Sequence, residues 1–304
     1  QALAPPGPQQ QRALYAAGAL EEVLAALRAA GGPEGGGACA GAAEACERAA
    51  RGALEPIFRS AADAAEARLL GMHEDGGWAA EGAGPGGPKE EAPAGPSPYM
   101  SGLLSLLAHL RSEFLNRLPA PPPRAEGRAH PPPPSEALTA RLAARVLVFF
   151  VRHAALLRPL SEAGRLRLAR DMAELELGVG QHLAPVDGLG APYRALRALR
   201  PLLFVEASEV ASSPLVRELP LSAVLHSCYA RAPAELQSPA ERARLSPAQY
   251  SAWLDQHSEA EVWKGVKGTL DAFAQRHKAD PGALPAVYHQ MLRLGALAPA
   301  EGDE

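Results

Sequence analysis

Apolar and polar residues alternate along most of the chain with the period of an α-helix. In the segment LRPLSEAGRLRLARDMAELELGVG, from Leu157 to Gly180, four large apolar residues are separated by steps of four, three and four. Residues at these steps share one helical face, so the segment is predicted to be an amphipathic helix packed on its neighbours. The four residues are Leu168, Met172, Leu175 and Val179.

The same segment carries charges that the pattern places on its exposed side. Arg167 and Asp171 are four residues apart, as are Arg170 and Glu174. Such pairs contribute about 0.2–0.5 kcal/mol each, whereas burial of one Leu or Phe side chain contributes about 1.5–3 kcal/mol. The apolar stripe therefore decides the fold. Two roles stay open for the charged face, which is either solvated or, around Arg167 and Arg170, a contact with another protein.

Helical spacing recurs before and after this segment. Ala-rich helices are predicted at Gln11–Ala30 and Ala42–Met72, with Gly31–Gly37 between them and with Pro56 either kinking or restarting the second. A further helix is predicted at Tyr99–Leu118. Ser135 is predicted to cap the strongest helix of the chain, which Pro159 ends.

The C-terminal third shows short helices that start at proline or serine. Helices are predicted from Pro192, with a kink or split at Pro201, after Pro220, and near Pro285. Three segments match the capping box, in which Ser is followed three residues later by Glu or Gln. They are Ser238–Glu241, Ser246–Gln249 and Ser258–Glu261.

Two segments interrupt the helical pattern. Half of the residues of Asp75–Pro98 are Gly or Pro, and half of those of Pro119–Pro134 are Pro, so both are predicted to be linkers. No stretch alternates over a strand's length, which predicts an all-α fold of short antiparallel helices. The predicted organisation is an Ala-rich helical segment (1–74), a linker (75–98), a helix (99–118), a linker (119–134), a C-terminal helical bundle (135–297) and a disordered tail (298–304).

Composition narrows the function without assigning one. The net charge of −4 offers no basic field for nucleic acid. The longest strongly apolar run, Val146–Val151, is far shorter than the ~20 residues of a membrane helix. Cys39, Cys46 and Cys228 are too few and too unevenly spaced for a disulfide framework.

A search for reactive groups finds none in a catalytic pattern. The nine histidines are scattered, and His153 lies on an apolar face, which favours a hydrogen-bonded core or boundary histidine over a metal ligand. Asp171, Glu174 and Glu176 could pair for acid–base work, but their spread around a helix favours a solvated face. We therefore predict no catalytic, cofactor-binding or metal residue, and no enzyme.

Two tryptophans have alternative roles. Trp253 and Trp263 could anchor an interface, because Trp is enriched at binding hot spots. A core role at a helix junction is the simpler interpretation of both residues.

Several segments resemble one family closely. VFFVRHAALLRPLSEAGRLRLARDMAELELGVGQ (Val148–Gln181), LGAPYRALRALRPLLFVEASEVASSPLVRELP (Leu189–Pro220), YARAPAELQSPAERARLSPAQYSAWLD (Tyr229–Asp255) and WKGVKGTL (Trp263–Leu270) resemble the C-terminal part of the fifth subunit of the conserved oligomeric Golgi (COG) complex, most closely its plant and green-algal members. The resemblance is collinear from about Leu54 to Val287.

The resemblance implies stacked helix bundles that form a helical rod. Combined with the pattern along the chain, it predicts an all-α rod of antiparallel helix bundles with Gly/Pro-rich disordered loops. It implies a non-catalytic subunit, without a cofactor, of a Golgi vesicle-tethering complex that acts in intra-Golgi retrograde transport and Golgi organisation. The implied location is peripheral, on the cytosolic face of Golgi membranes and in the cytosol. Implied partners are the other COG subunits, especially the seventh but also the sixth and eighth, and Golgi SNAREs.

One alternative function is a stand-alone helical adaptor that binds a membrane surface or another protein. The mixture of Arg with Asp and Glu on the predicted exposed faces argues against the membrane version, since helices that lie on membranes carry a basic polar face.

Overall fold

The computed structural model describes residues 5–30, 37–79, 95–119, 131–277 and 284–299. Every regular element within these ranges is helical, which confirms the all-α prediction. The α-helices of these ranges are α1 (Pro8–Ala30), α2 (Gly37–Leu69), α3 (Pro98–Glu113), α4 (Pro134–Ala155), α5 (Glu162–His182), α6 (Ala191–Leu202), α7 (Leu221–Tyr229), α8 (Pro239–Ala243), α9 (Pro247–Leu254), α10 (Glu259–Arg276) and α11 (Ala286–Gly295). Short 3₁₀ turns connect several of them, among them Leu70–His73, Gly76–Trp78 and Pro214–Glu218.

Some sequence predictions lie outside the described residues. These are most of the predicted separator at Gly31–Gly37, residues 80–94 and 120–130 of the two predicted linkers, and the tail from residue 300 onward.

The chain divides into two compact units. The first comprises Gln1–Arg68, Ser101–Val146 and Leu175–Leu189, and the second comprises Leu69–Met100, Leu147–Glu174 and Gly190–Glu304. These units follow contacts rather than the order of the chain, and the sequential domains given above stay a prediction.

The first unit is built on Ala-rich helices whose few large residues lie on one face. Helix α1 buries Leu14, Ala17, Glu21 and Leu24, which recur at steps of three and four. Helix α2 is continuous through Pro56, so a restart of the helix at that residue is excluded.

The predicted cap of α4 is wrong in its detail. The helix begins at Pro134, because Pro fits the first helical position, so Ser135 lies inside the first turn. The Ser135 N–H and hydroxyl instead donate to the buried carboxyl group of Glu21, at 2.6 and 2.7 Å. Glu21 thus satisfies an N–H that has no partner within the helix. Burial raises the pKa of Glu21, and the two hydrogen bonds from Ser135 lower it.

The second unit contains the helix starts that the sequence predicted. All three capping boxes are present, each with the serine hydroxyl accepting from the backbone N–H three residues on and the Glu or Gln side chain accepting from the serine N–H. Pro192 lies in the first turn of α6, and Pro201 lies within its last turn. Capping boxes and proline starts depend only on residues close in sequence, which explains why the sequence predicted these helix starts.

Helices α10 and α11 meet where Gly295 faces the indole of Trp263. A β-carbon at Gly295 would overlap the indole ring. This contact favours the core interpretation of Trp263 over the interface one. Trp253 is half-buried and stacks between Tyr250 and His257, with ring centroids 5.4 and 3.9 Å away.

We expect Gly295→Ala to destabilise the second unit by about 1–3 kcal/mol, the usual result of overpacking a core. The matched control is Gly265→Ala, where the added carbon would meet Pro239 Cβ at an ordinary 3.8 Å. That variant should be neutral or up to about 1 kcal/mol more stable, because Ala favours a helix over Gly. Thermal unfolding followed by circular dichroism compares the two. Equal melting temperatures would contradict the overlap.

Candidate interaction surface

Part of the charged side of α5 lies inside the second unit. Asp171 is fully buried, and its carboxyl oxygens accept from the Ser97 N–H at 3.0 Å and from the Tyr99 hydroxyl at 2.7 Å. The prediction of an exposed Arg167–Asp171 pair is therefore wrong. Asp171 instead accepts hydrogen bonds from the segment that contains Ser97 and Tyr99, a contact that the helical period of α5 could not predict.

Arg167 also turns toward this neighbouring segment. Its Nε donates to Ser97 Oγ at 2.8 Å, and its two terminal nitrogens donate to the carboxylate of Asp75, one of them at 3.0 Å. Its guanidinium lies 4.7 Å from the ring centroid of Trp78. We call Asp75, Trp78, Ser97, Tyr99, Arg167 and Asp171 the Asp171 network. It fixes both ends of the predicted Gly/Pro-rich linker to α5.

Electrostatics suit the Asp171 network to a structural role. The hydrogen bonds from Arg167 hold the pKa of Asp75 below its usual value. Burial, with the neighbouring Asp171 carboxyl, raises the pKa of Tyr99, so its hydroxyl stays a donor. The sequence carried one local signal of this arrangement, since Asp75 begins a turn in which its side chain accepts from Gly77 N at 3.1 Å.

The face that α5 offers to a partner differs from the predicted one. Within the second unit its exposed residues include Leu166, Arg170 and Ala173, at steps of four and three, and Leu166 is 57% exposed. Arg167 is occupied within the fold. Of the two arginines named from the sequence, Arg170 is the exposed one, so a subunit contact is best tested there.

His153 is a core histidine, as predicted. It is fully buried, and its Nδ1 lies 3.1 Å from Nε2 of His73. Burial, with a smaller effect from His153, lowers the pKa of His73 to about 4. One imidazole must donate and the other accept, so this contact needs at least one neutral ring.

Asp171 is committed to the fold rather than to acid–base work with Glu174 or Glu176, since its carboxyl oxygens accept from Ser97 and Tyr99. Among the described residues, no three His, Cys, Asp or Glu side chains are grouped as metal ligands. Over the same ranges, none of the helices combines the length and hydropathy needed to cross a bilayer.

The second unit contains an open groove of about 420 Å³. Apolar residues of α4, such as Val148 and Val151, form one wall, and Leu254 and Val262 contribute from α9 and α10. Its polar lining includes Arg152, Arg194, Arg217, Glu218 and Glu259.

The buried histidine of this groove is kept neutral mainly by its burial, against the hydrogen bond to Ser222, which raises its pKa. The Nδ1 of His226 contacts the carbonyl of Ser222, so it carries the proton, and Nε2 then accepts from the Tyr250 hydroxyl at 2.8 Å. Burial lowers the pKa of His226 to about 4, and the charge of Arg152 acts in the same direction.

Comparison with known proteins finds homologues among the subunits of one Golgi complex. The chain is 47% identical over 245 residues to conserved oligomeric Golgi complex subunit 5 of Arabidopsis thaliana, and 36% identical over 252 residues to the subunit 5 of Mus musculus. Over this matched part, the chain is homologous to conserved oligomeric Golgi complex subunit 5. Each match covers 80% of the chain, which confirms the resemblance drawn from the sequence.

The chain spans 28% of the length of these two subunit 5 relatives. The subunit 5 of Drosophila melanogaster is 33% identical over 135 residues, or 43% of the chain. No family model matches the chain, and no solved structure matches it.

Proposed function

We propose that the chain acts as a non-catalytic part of a Golgi vesicle-tethering complex and corresponds to the C-terminal part of subunit 5. The observation that carries this proposal is the 47% identity to the Arabidopsis subunit over 80% of the chain. The described residues support it with an all-α fold whose charged clusters hold helices together, as in the Asp171 network.

The finer proposal concerns where and with what the chain works. It acts in intra-Golgi retrograde vesicle transport and Golgi organisation, on the cytosolic face of Golgi membranes and in the cytosol. It is held there through the complex. Its partners are the other COG subunits, the seventh above all and also the sixth and eighth, and Golgi SNAREs.

The test is co-expression of the chain with the seventh-subunit homologue from the same organism, followed by affinity and size-exclusion chromatography. We expect the two chains to co-elute. A folded chain that elutes alone, with the sixth and eighth subunits also unbound, would contradict the proposal for this part of subunit 5.

One variant in the same experiment addresses α5. If its exposed face contacts the partner, Arg170→Glu weakens co-elution, because reversed charge at an interface opposes the partner's charges. Unchanged co-elution would exclude a contact at Arg170 and leave the tethering function intact. Helicity by circular dichroism checks that the variant is folded.

A further inference from the structure

We propose that the groove of the second unit is a docking site for an acidic amphipathic helix of a partner protein, with apolar side chains in the groove and a carboxylate against Arg217. This inference goes beyond the proposed function and depends on the groove alone. Its volume of about 420 Å³ falls within the ~300–1,000 Å³ typical of binding pockets.

Most charges that line the groove already have partners. Arg152 donates to Ser251 and Asp255, and Arg194 donates to Glu218 at 3.0 Å. Glu259 accepts from the N–H and the hydroxyl of Ser222, at the start of α7. These groups therefore form the rim of a built groove rather than charges that await a ligand.

Arg217 differs from these residues. It is exposed, it lines the groove, and it has no hydrogen-bond or ion-pair partner within the described ranges. The N-terminus of α6 also lines the groove, and its N-cap residue, Gly190, provides no side chain to accept from the first N–H groups. A guanidinium and an uncapped helix N-terminus both favour a negative group. Charge complementarity therefore selects an acidic occupant.

The walls of the groove select a helix as the occupant. They are helices and turns, and the described part of the chain has no strand whose edge could pair with an extended peptide. An amphipathic helix docks by its apolar face, with residues at i, i+3, i+4 and i+7 in the groove. A carboxylate beside that ridge would then reach Arg217.

The test measures binding of the purified chain to two fluorescein-labelled helical peptides by anisotropy. Both peptides carry Leu at i, i+3, i+4 and i+7, which forms an apolar ridge along the helix. They differ in the side of this ridge on which the Glu residues lie. We expect saturable binding of one of them below about 1 mM, an affinity typical of a weak groove contact. We expect Arg217→Glu to weaken it about tenfold, because the attractive charge becomes repulsive.

Two further comparisons make the result decisive. Leu254→Ala should also weaken binding, since it removes part of the apolar wall. A peptide with Lys in place of Glu should prefer the Arg217→Glu variant over the parent chain. The matched control is Arg293→Glu, an exposed arginine of α11 that does not line the groove, and it should bind like the parent.

Absence of saturable binding to the parent chain, or unchanged affinity in either groove variant, overturns the proposal. The probes are synthetic peptides, so these outcomes are independent of whether the seventh subunit co-elutes. Failure of the groove proposal and failure of the proposed function are thus distinguishable.

Discussion

Asp171→Ala is expected to lower the free energy of unfolding of the second unit by about 3 kcal/mol, because two buried donors lose their acceptor at about 1–3 kcal/mol each. The donors are the Ser97 N–H and the Tyr99 hydroxyl. All three tryptophans of the chain, Trp78, Trp253 and Trp263, belong to this unit, so denaturant unfolding followed by tryptophan fluorescence reports on it.

The matched control for this variant is Glu174→Ala, three residues further along α5. Glu174 is half-exposed and has no hydrogen-bond partner in the part of the chain that the structure describes. A substitution of this kind is usually within about 0.5 kcal/mol of neutral. Equal losses in the two variants would mean that Asp171 is no more than a surface charge, as its sequence spacing suggested.

A double-mutant cycle separates the lost hydrogen bond from lost packing. Tyr99→Phe in the parent chain removes a donor from a satisfied pair, whereas in the Asp171→Ala background it removes a hydroxyl that has no acceptor. Tyr99→Phe should therefore be much less destabilising in the Asp171→Ala background than in the parent chain, or even stabilising. Additive effects would show that Tyr99 and Asp171 are not coupled.

Asp171 also shows what the helical period could and could not predict. The stripe Leu168, Met172, Leu175 and Val179 is fully buried, as predicted. Asp171 is adjacent to Met172 and lies at the edge of the same stripe, so its burial depends on a segment more than seventy residues earlier in the chain. Periodicity identifies the face that is buried against helices but not a segment that crosses the polar side.

The ends of the Gly/Pro-rich linker were missed for a related reason. Composition assigns low helix propensity to Asp75–Pro98, but it averages over residues with different roles. Trp78 and Ser97 lie within that range and are buried. A single large aromatic residue in a glycine-rich stretch is the signal that would have indicated an ordered contact.

The groove was beyond the reach of sequence reasoning altogether. Its walls come from α4, α6, α7, α9 and α10, and its lining residues extend along the chain from Val148 to Val262. Capping boxes, proline starts and apolar stripes predict each element but not the space enclosed between several of them. The resemblance to subunit 5, by contrast, could be recognised from the sequence, because it depends on the order of residues rather than on their positions in space.

Acidification from pH 7 to pH 4.5 is expected to destabilise the second unit by several kcal/mol. Burial lowers the pKa values of His73 and His226 from 6.5 to about 4. The unfolded chain therefore binds protons below pH 6.5, whereas the folded chain does not until about pH 4, so stability falls as the pH drops between these values. Lowering the pKa of one histidine from 6.5 to about 4 corresponds to a loss of about 3 kcal/mol in the free energy of unfolding, once that histidine is fully protonated.

The carboxyl groups with shifted pKa values act differently and can be separated from this effect. The stabilisation from Asp75 and Glu261, whose pKa values are lowered, is present above their unfolded values of 3.8 and 4.5 and is lost only at lower pH. Glu21, whose pKa is raised, favours the folded state more as the pH falls, but it lies in the first unit, which has no tryptophan. Tryptophan fluorescence between pH 7 and 4.5 therefore follows the histidines.

Substitution by Gln tests this assignment, because Gln can donate and accept hydrogen bonds but does not titrate. His226→Gln should lose stability at pH 7, where the Tyr250 and Ser222 contacts of the imidazole are disturbed. Its free energy of unfolding should then change less between pH 7 and 4.5 than in the parent chain. The double variant with His73→Gln should be nearly independent of pH over this range. A parent chain whose fluorescence-detected stability is the same at both pH values would contradict neutral burial of these two imidazoles.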